Sequence, residues 1–192
     1  MTKRRLLALS GKRFSGKDTL ASLLVEAARA RGITLETYAF AAESKRLFVA
    51  RESARGVEVD LSRLQHDRDY KERWRPQLTP FTMESLAADP LVFCRSVADR
   101  IESSTHPSLV TDVRLRLEVE HLRSRFELHL VRITRSDASR ASSGWAYTPS
   151  ADDHHTEIDL DDPKLWDEVV TNDGSLDELR AKAESLLSAQ LG

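Results

Sequence analysis

The sequence predicts a three-layer α/β fold in which helices cover both faces of a five-stranded parallel sheet. Two observations lead to this prediction. Five short apolar runs are bounded by turn residues and lack strict alternation, which is typical of strands buried on both faces. Between these runs lie stretches with a helical period, and strands that alternate with helices form parallel sheets.

The predicted elements follow one another along the chain. Each apolar run ends at a polar or turn residue, and these ends place strands at 6–9, 37–40, 109–111, 128–133 and 169–171. Apolar residues that recur every three or four positions predict helices at 17–31, 43–54, 91–103, 115–125 and 176–187. The series indicates a single domain over residues 1–192.

The segment 136–162, SDASRASSGWAYTPSADDHHTEIDLDD, interrupts this series. It is polar, and Gly144 and Pro149 break any helical or strand period. Long segments of this kind in compact domains are usually functional or disordered. We therefore expect a mobile lid.

Composition limits what the protein can do. With 192 residues, 40% of them hydrophobic, the chain can bury a sizeable core, and its net charge of -2 argues against a general nucleic-acid or membrane-surface binder. No apolar run approaches the roughly 20 residues that span a bilayer. Cys94 is the one cysteine, which fits a reducing compartment. We expect a cytoplasmic monomer that acts on small molecules.

A phosphate-binding loop follows the first strand. The stretch LLALSGKRFSGKDTLASLL contains the pattern G-x-x-x-x-G-K between a strand and a helix, where the helix N-terminus favours anions. Gly11 and Gly16 let the backbone approach a phosphate chain, and Lys17 can reach the β- and γ-phosphates. The usual hydroxyl residue after the lysine is replaced by Asp18. The loop therefore predicts a nucleotide-binding site with an unusual carboxylate.

Two aspartates are candidates for handling Mg²⁺. Asp18 could orient the ion beside the phosphates, although an acidic residue in a first helical turn also simply complements the helix dipole. Asp112 ends the apolar run SLVT, so it lies at the carboxyl end of a strand near the loop. It could hold the ion or cap the helix that follows near Leu115.

The motifs together resemble the animal-type phosphomevalonate kinases, a branch of the P-loop nucleoside monophosphate kinase-like proteins. That family also has aspartate after the loop lysine. The similarity covers nearly the whole chain in order through LSGKRFSGKD, DYKERWR, ADPLVFCR, LVTDVR, LVRI, GWAYTPSADDHHTE and WDEVVTNDG. It implies a P-loop kinase fold and the Mg²⁺- and ATP-dependent conversion of (R)-5-phosphomevalonate to its 5-diphosphate.

The resemblance also implies roles for individual residues. The ATP and magnesium cradle would consist of Gly11, Lys12, Arg13, Ser15, Gly16, Lys17 and Asp18. Arg114 would bind substrate or the transferring phosphoryl group, with Arg132 as support from the next strand. Arg140 would close over ATP from the lid, and Asn172 would lie beside adenine. The acceptor pocket would be lined by Tyr70, Lys71, Arg75 and Arg95.

The chain departs from the family pattern at several basic positions. Phe14, Leu115 and Ser143 stand where the family usually has a positively charged residue, and TPFTMESLA replaces a basic, tryptophan-containing segment. Arg116 and Arg135 are candidates to restore the lost charge. These changes keep two alternatives open. One is a nucleoside or deoxynucleoside monophosphate kinase that stacks its base on Phe81, Trp74 or Tyr70, and the other is a non-catalytic ATP-binding module.

Overall fold

A five-stranded parallel sheet forms the centre of the computed structural model, which describes residues 3–191. Its strands are β1 (Arg5–Ser10), β2 (Glu36–Tyr38), β3 (Ser108–Val110), β4 (Glu127–Thr134) and β5 (Glu168–Thr171). Their order is β2-β3-β1-β4-β5, and every pairing is parallel. The predicted sheet is confirmed.

Ten α-helices accompany the sheet in the described part of the chain. They are α1 (Lys17–Ala30), α2 (Phe40–Ala54), α3 (Leu61–His66), α4 (Arg68–Ala88), α5 (Val92–Ser103), α6 (Arg116–Arg125), α7 (Asp137–Ala141), α8 (Pro149–Asp152), α9 (His155–Ile158) and α10 (Leu176–Leu191). A short 3-10 helix follows at Pro163–Leu165. The five helices predicted from sequence correspond to α1, α2, α5, α6 and α10.

The two faces of the sheet carry separate hydrophobic clusters. Successive strand residues point to opposite faces, so Leu6 and Ala8 pack against α5 and α6 while Leu7 and Leu9 pack against α1 and α10. In register, Leu7 of β1 lies between Leu109 of β3 and His129 of β4. Helices on both faces confirm the predicted three-layer arrangement.

Helices α3 and α4 are not predicted by the sequence pattern. Their start signals are present, since the Asp60 side chain accepts a hydrogen bond from the backbone N–H of Arg63 and Asp67 accepts one from Tyr70. The helical period of α4 is weak because Leu78 is its one buried residue, and Pro76 and Pro80 lie inside it. Together with α2, the two helices enclose a third, smaller apolar cluster.

The segment 136–162 is more regular than the expected long loop. It contains the three short helices α7, α8 and α9, and several of its polar side chains are buried, namely Arg140, Asp152 and Glu157. These side chains face the phosphate loop, as described below. The mobility of this lid stays a prediction.

The sheet topology places the phosphate loop at a reversal point. The chain leaves central β1, reaches β2 and β3 on one side, and then crosses to β4 and β5 on the other. Ligands of open α/β sheets bind beyond the carboxyl ends of the strands at such a point.

None of the helices within residues 3–191 is long and apolar enough to cross a membrane.

Candidate active site

The phosphate loop requires both of its glycines. Gly16 has a φ of 93°, and a Cβ there would overlap Asn172 Nδ2. A Cβ on Gly11 would lie 2.6 Å from both Ile133 Cγ2 and Ser15 Oγ. A side chain at either position therefore collides with its surroundings, and at Gly16 it also meets an unfavourable backbone conformation.

Asn172 fixes the loop from the end of β5. Its Nδ2 donates a hydrogen bond of 2.9 Å to the backbone oxygen of Ser15, and its own N–H donates to Thr134 O at 2.8 Å. The structure thus places the Asn172 amide against the phosphate loop. Its predicted position beside adenine is not tested by these contacts and stays a prediction.

One cavity joins the phosphate loop to the end of β3. Its volume is about 550 Å³. All seven residues of the predicted cradle lie on its wall, which consists of Gly11, Lys12, Arg13, Phe14, Ser15, Gly16, Lys17, Asp18, Thr19, Arg114, Arg135 and Ser143. The structure therefore brings the loop lysine together with an arginine that sequence alone places about 100 residues away.

Asp18 lies in the first turn of α1 with its side chain 98% exposed. One carboxylate oxygen is 3.6 Å from Lys17 Nζ, while the Lys17 side chain itself is only 12% exposed. Asp18 also lines a second, larger cavity together with residues at the ends of β2 and β3. Its carboxylate is thus accessible from two adjoining spaces.

Asp112 caps a different helix from the one expected. Its carboxylate oxygens accept backbone hydrogen bonds from Phe40, at 2.8 Å, and Ala41, at 3.1 Å, and thereby cap α2. Glu118 performs the corresponding task for α6 by accepting from the N–H groups of Arg114 and Leu115. Removal from water raises the pKa of Asp112. The hydrogen bonds that Asp112 accepts from Phe40 and Ala41 lower it, as do the positive charges of Lys17 and Arg114, but burial has the larger effect.

The residues present fit a magnesium ion held mainly by phosphates. Within residues 3–191, no group of three or more His, Cys, Asp or Glu side chains is arranged as a metal site. Mg²⁺ at nucleotides usually keeps several waters and takes only one or two carboxylates besides the phosphates. Asp18 supplies an exposed carboxylate beside the loop, whereas both oxygens of Asp112 are already engaged with backbone donors. Asp18 is therefore the better candidate of the two.

Acidic residues of the lid contact the basic residues of the cradle. Glu157, 6% exposed, accepts a hydrogen bond of 2.9 Å from the backbone N–H of Arg13 and forms an ion pair with Arg114. Asp161 lies 2.7 Å from both Lys12 Nζ and Arg132 Nη2. Arg132 also packs over Trp166 and donates to Ser10 Oγ. These contacts fix the basic side chains near the loop.

Arg140 reaches the phosphate loop from α7. Its Nε donates to the backbone oxygen of Arg13 at 3.0 Å, and its guanidinium stacks over Trp145 at 3.8 Å. Asp152 lies 3.4 Å from both Arg13 and Arg140 and accepts a hydrogen bond from Trp145 Nε1. The predicted lid arginine thus lies at the loop in the structure.

The second cavity, of about 1050 Å³, lies beyond the ends of β2 and β3. Asp18, Tyr38, Lys45, His66 and Thr111 are among the residues that line it. Burial lowers the pKa of Lys45, and the positive charge of Lys71 acts in the same direction. This cavity adjoins the phosphate loop through Asp18 and offers space for an acceptor molecule.

The structure does not bring the four predicted acceptor residues into that cavity. Tyr70 packs against Trp74, and its hydroxyl accepts a hydrogen bond from Asp60 N at 3.0 Å. Lys71 and Arg75 line a separate cavity of about 270 Å³ on α4. Arg95 Nε donates to Asp89 Oδ2 at 3.1 Å. Their role in acceptor binding stays a prediction.

Several residues at the site were not predicted from the sequence. They are Lys45 in the larger cavity and the lid carboxylates Asp152, Glu157 and Asp161. The acidic residues of the lid are visible in the sequence as DDHHTEIDLDD, but that composition also suits a solvated loop. Only the fold shows which of them face the phosphate loop.

The parallel sheet and the phosphate loop give this chain the fold of the P-loop kinases. Solved structures similar to this chain include APS kinase from Mycobacterium tuberculosis in complex with AMPPNP and APS, with a TM-score of 0.57 and 16% identity over 98% of this chain and 99% of that one. A gluconokinase from Sinorhizobium meliloti has a TM-score of 0.51 and 18% identity, covering 98% of this chain and 94% of that one. At such identities the likeness shows the fold alone.

Sequence relatives identify the family. A model of the phosphomevalonate kinase family matches residues 9–128. Phosphomevalonate kinase of Drosophila melanogaster is 30% identical over 180 residues, which cover 91% of this chain and 91% of that protein. The chain belongs to the phosphomevalonate kinase family, and the family predicted from the sequence is confirmed.

Proposed function

We propose that this kinase transfers the γ-phosphoryl group of ATP to the phosphate of (R)-5-phosphomevalonate, forming 5-diphosphomevalonate and ADP. Family membership supports the reaction. The structural observation that carries the proposal is the cavity in which the phosphate loop, Lys17 and Arg114 meet. Positive groups on two sides of one space suit the transfer of a phosphoryl group between two anions.

The acceptor in this reaction needs no general base. The second pKa of a phosphate monoester is about 6, so the attacking oxygen is largely ionised near neutral pH. The main obstacle is repulsion between the two phosphate groups, which positioned cations reduce. Lys17 would contact the β- and γ-phosphates, and Arg114 would hold the acceptor phosphate in line. Arg13 of the loop and Arg140 of the lid would add further positive charge around the phosphate groups.

Magnesium would be held by the nucleotide phosphates and the Asp18 carboxylate, where it supplies charge neutralisation of the transferring group. Asp112 would contribute indirectly, because it fixes the start of α2 beside the end of β3. The acceptor would occupy the cavity of about 1050 Å³ that Asp18 and Lys45 line. Lys45 would then add a positive charge on the acceptor side.

The lid, residues 136–162, would exchange its contacts when substrates bind. Asp161 lies 2.7 Å from Lys12 Nζ, and phosphate oxygens would compete with this carboxylate for the same donor. The enzyme is proposed to act as a single-domain monomer in the cytoplasm, which gel filtration and localisation of a tagged chain would check.

A nucleoside monophosphate acceptor is less well supported. The aromatic residues proposed for base stacking are engaged with the third apolar cluster: the ring of Phe48 lies 5.9 Å from Trp74 and 5.6 Å from Phe81. Tyr70 packs on Trp74 in the same group. None of these three candidates lines the larger cavity. The non-catalytic module has no observation in its favour, since Lys17 and Arg114 face the same cavity.

A direct assay separates these functions. Purified protein is incubated with Mg·ATP and, in parallel, (R)-5-phosphomevalonate, a panel of nucleoside monophosphates, or no acceptor. ADP release is followed, and phosphorus NMR identifies the product. We expect ADP and a diphosphate only with phosphomevalonate, and loss of both in Lys17→Met. Turnover with a nucleoside monophosphate instead, or ATP binding without transfer to any acceptor, would contradict the proposal.

A further inference from the structure

Two buried polar atoms beside the phosphate loop have no hydrogen-bond partner within residues 3–191. Across residues 3–191, the buried side-chain atoms in this condition are Ser15 Oγ, His121 Nε2 and Arg135 Nε. Ser15 and Arg135 both line the cavity at the phosphate loop, and both line a further cavity of about 360 Å³. A buried unpaired donor costs about 1–3 kcal/mol, so two at one place indicate an acceptor that belongs there.

Arg135 differs from the other basic residues near the loop. Lys12, Arg13, Arg114 and Arg140 each form an ion pair with a lid carboxylate. Arg135 forms no ion pair with any carboxylate of the described chain, and its Nη1 donates a hydrogen bond of 2.9 Å to the hydroxyl of Ser143. Its positive charge therefore remains available for an anion in the cavity.

Three carboxylates lie near Arg135, and all have other partners. Asp137 and Asp161 line the cavity of about 360 Å³ with it but form ion pairs with other basic residues. Asp173 accepts a hydrogen bond of 2.8 Å from the backbone N–H of Ser136. Hydrogen bonds from Ser136 and Ser139 lower the pKa of Asp173, and the charge of Arg135 makes a smaller contribution. Arg135 thus influences Asp173 at a distance without pairing with it. Asp173 is therefore not the hydrogen-bond partner that Arg135 Nε lacks.

Arg116, the other candidate for restoring lost charge, is placed differently. It lies at the start of α6, where its Nη2 is 3.5 Å from Asp162, and it lines neither cavity beside the loop. Arg135 directly follows the last residue of β4 and lines the cavity at the loop. Its side chain contacts Ser143, one of the positions where this chain lacks a basic residue. Of the two arginines, only Arg135 can reach a ligand at the loop.

We infer that Arg135 binds the polyphosphate of ATP in this chain, with its guanidinium in the space next to Ser143. The inference rests on the proposed kinase function and goes beyond it, because it assigns the residue that supplies the positive charge missing at Phe14 and Ser143. A guanidinium offers several donors in a fixed plane, which suits phosphate oxygens. The hydroxyl of Ser15 would donate to the same phosphate chain.

The test compares nucleotide binding by Arg135→Ala and Arg116→Ala, using isothermal titration calorimetry with Mg·ATP and with AMP. We expect Arg135→Ala to weaken ATP binding by about 10- to 100-fold, the range for a hydrogen bond to a charged group, and to change AMP binding much less. Arg116→Ala is expected to bind both nucleotides like the wild type. Thermal unfolding of both variants checks that they fold.

A double variant tests the position of the charge. Because Arg135 Nη1 contacts the Ser143 hydroxyl, an arginine at 143 reaches the same space. Arg135→Ala combined with Ser143→Arg should bind ATP more tightly than Arg135→Ala alone and approach the wild-type affinity, whereas Ser143→Arg combined with Arg116→Ala serves as the matched control. Equal ATP affinity in Arg135→Ala and wild type would overturn the inference, as would an equal loss of AMP and ATP binding.

Kinetics distinguish failure of the inference from failure of the proposed function. If wild-type protein does not turn over phosphomevalonate, the proposed reaction is wrong, but the binding comparison still decides the role of Arg135. If the wild type turns over and Arg135→Ala has the same KM for ATP and the same kcat, the reaction stands and the inference is wrong.

Discussion

Glu157 of α9 and Arg114 beyond β3 form an ion pair that joins the lid to the cavity at the phosphate loop across 43 positions of the chain. The same carboxylate accepts the backbone N–H of Arg13 in the phosphate loop. Glu157 is nearly buried, while the Arg114 side chain is 39% exposed, so part of the guanidinium remains accessible to a phosphate. We therefore infer that the carboxylate positions the arginine.

Glu157→Gln should lower kcat/KM for phosphomevalonate by about 10²-fold, since a displacement of about 1 Å at a reacting group can cost that much. The amide preserves size and can still accept from Arg13, so the melting temperature should change little. Steady-state kinetics and thermal unfolding measure both effects. Asp153→Asn is the control, because this lid carboxylate contacts Tyr147 and not the loop. Equal losses in the two variants would contradict a positioning role.

Asp18→Asn separates a magnesium role from a helix-dipole role. If Asp18 holds Mg²⁺ beside the phosphates, kcat should fall by about 10²-fold or more, with a raised Mg²⁺ requirement and an intact fold. If it only complements the dipole of α1, stability should fall by at most about 1 kcal/mol and turnover should persist.

The measurements for Asp18→Asn are kcat as a function of Mg²⁺ concentration, ATP affinity and melting temperature, beside Lys17→Met. Glu184→Gln provides the control, since Glu184 is an exposed acid on α10 that lines neither the cavity at the phosphate loop nor the larger one. A fully active Asp18→Asn enzyme with an unchanged Mg²⁺ requirement would show that the aspartate is structural.

Gly16→Ala tests the geometry of the loop. The new methyl group would collide with Asn172 Nδ2, and the backbone would be strained at a φ of 93°. The loop must shift, so we expect ATP affinity to fall by about 10²-fold or more. Gly32→Ala is the control, because Gly32 also has a positive φ of 72° but a Cβ added there would have nothing within 4 Å. It should cost about 1–2 kcal/mol of stability and leave kinetics unchanged.

The cradle could be predicted because its residues are contiguous in sequence. Gly11, Gly16 and Lys17 follow a strand and open a helix, so local pattern and chemistry agree. Asp112 was also predicted near the loop, since parallel strands bring their carboxyl ends to one edge of the sheet, and the family resemblance implied a place for Arg114 at the site. The helix that Asp112 caps could not be predicted. Helix α2 follows β2, and its start lies beside the end of β3 only because β2 and β3 are neighbours in the sheet.

The lid contacts and α4 could not be predicted for physical reasons. The hydrogen bond between Arg13 and Glu157 joins residues 144 positions apart, and no local pattern encodes such a pairing. Helix α4 buries only Leu78 and contains Pro76 and Pro80, so its sequence lacks the strong period of a core helix. Tertiary packing with α2 and α3 stabilises it instead.

Glu118 should make stability depend on pH near neutrality. Removal from water raises the pKa of Glu118 to about 7, and the negative charge of Asp112 acts in the same direction, while hydrogen bonds from Arg114 and Leu115 oppose the shift. The folded protein therefore binds a proton more tightly than the unfolded chain, whose glutamate has a pKa of 4.5. The free energy of unfolding should accordingly fall as pH rises from about 4.5 to about 7, by about 2–3 kcal/mol from this group.

Glu118→Gln isolates this contribution. The amide oxygen can still accept the backbone hydrogen bonds at the start of α6 but does not titrate, so the variant should gain stability relative to the wild type as pH rises through that window. Urea unfolding at several pH values between about 4.5 and about 7.5 gives the difference directly. Glu120→Gln, an exposed acid on the same helix, should show a constant difference across the range. If the wild type and Glu118→Gln differ by the same amount at every pH, the raised pKa of Glu118 is wrong.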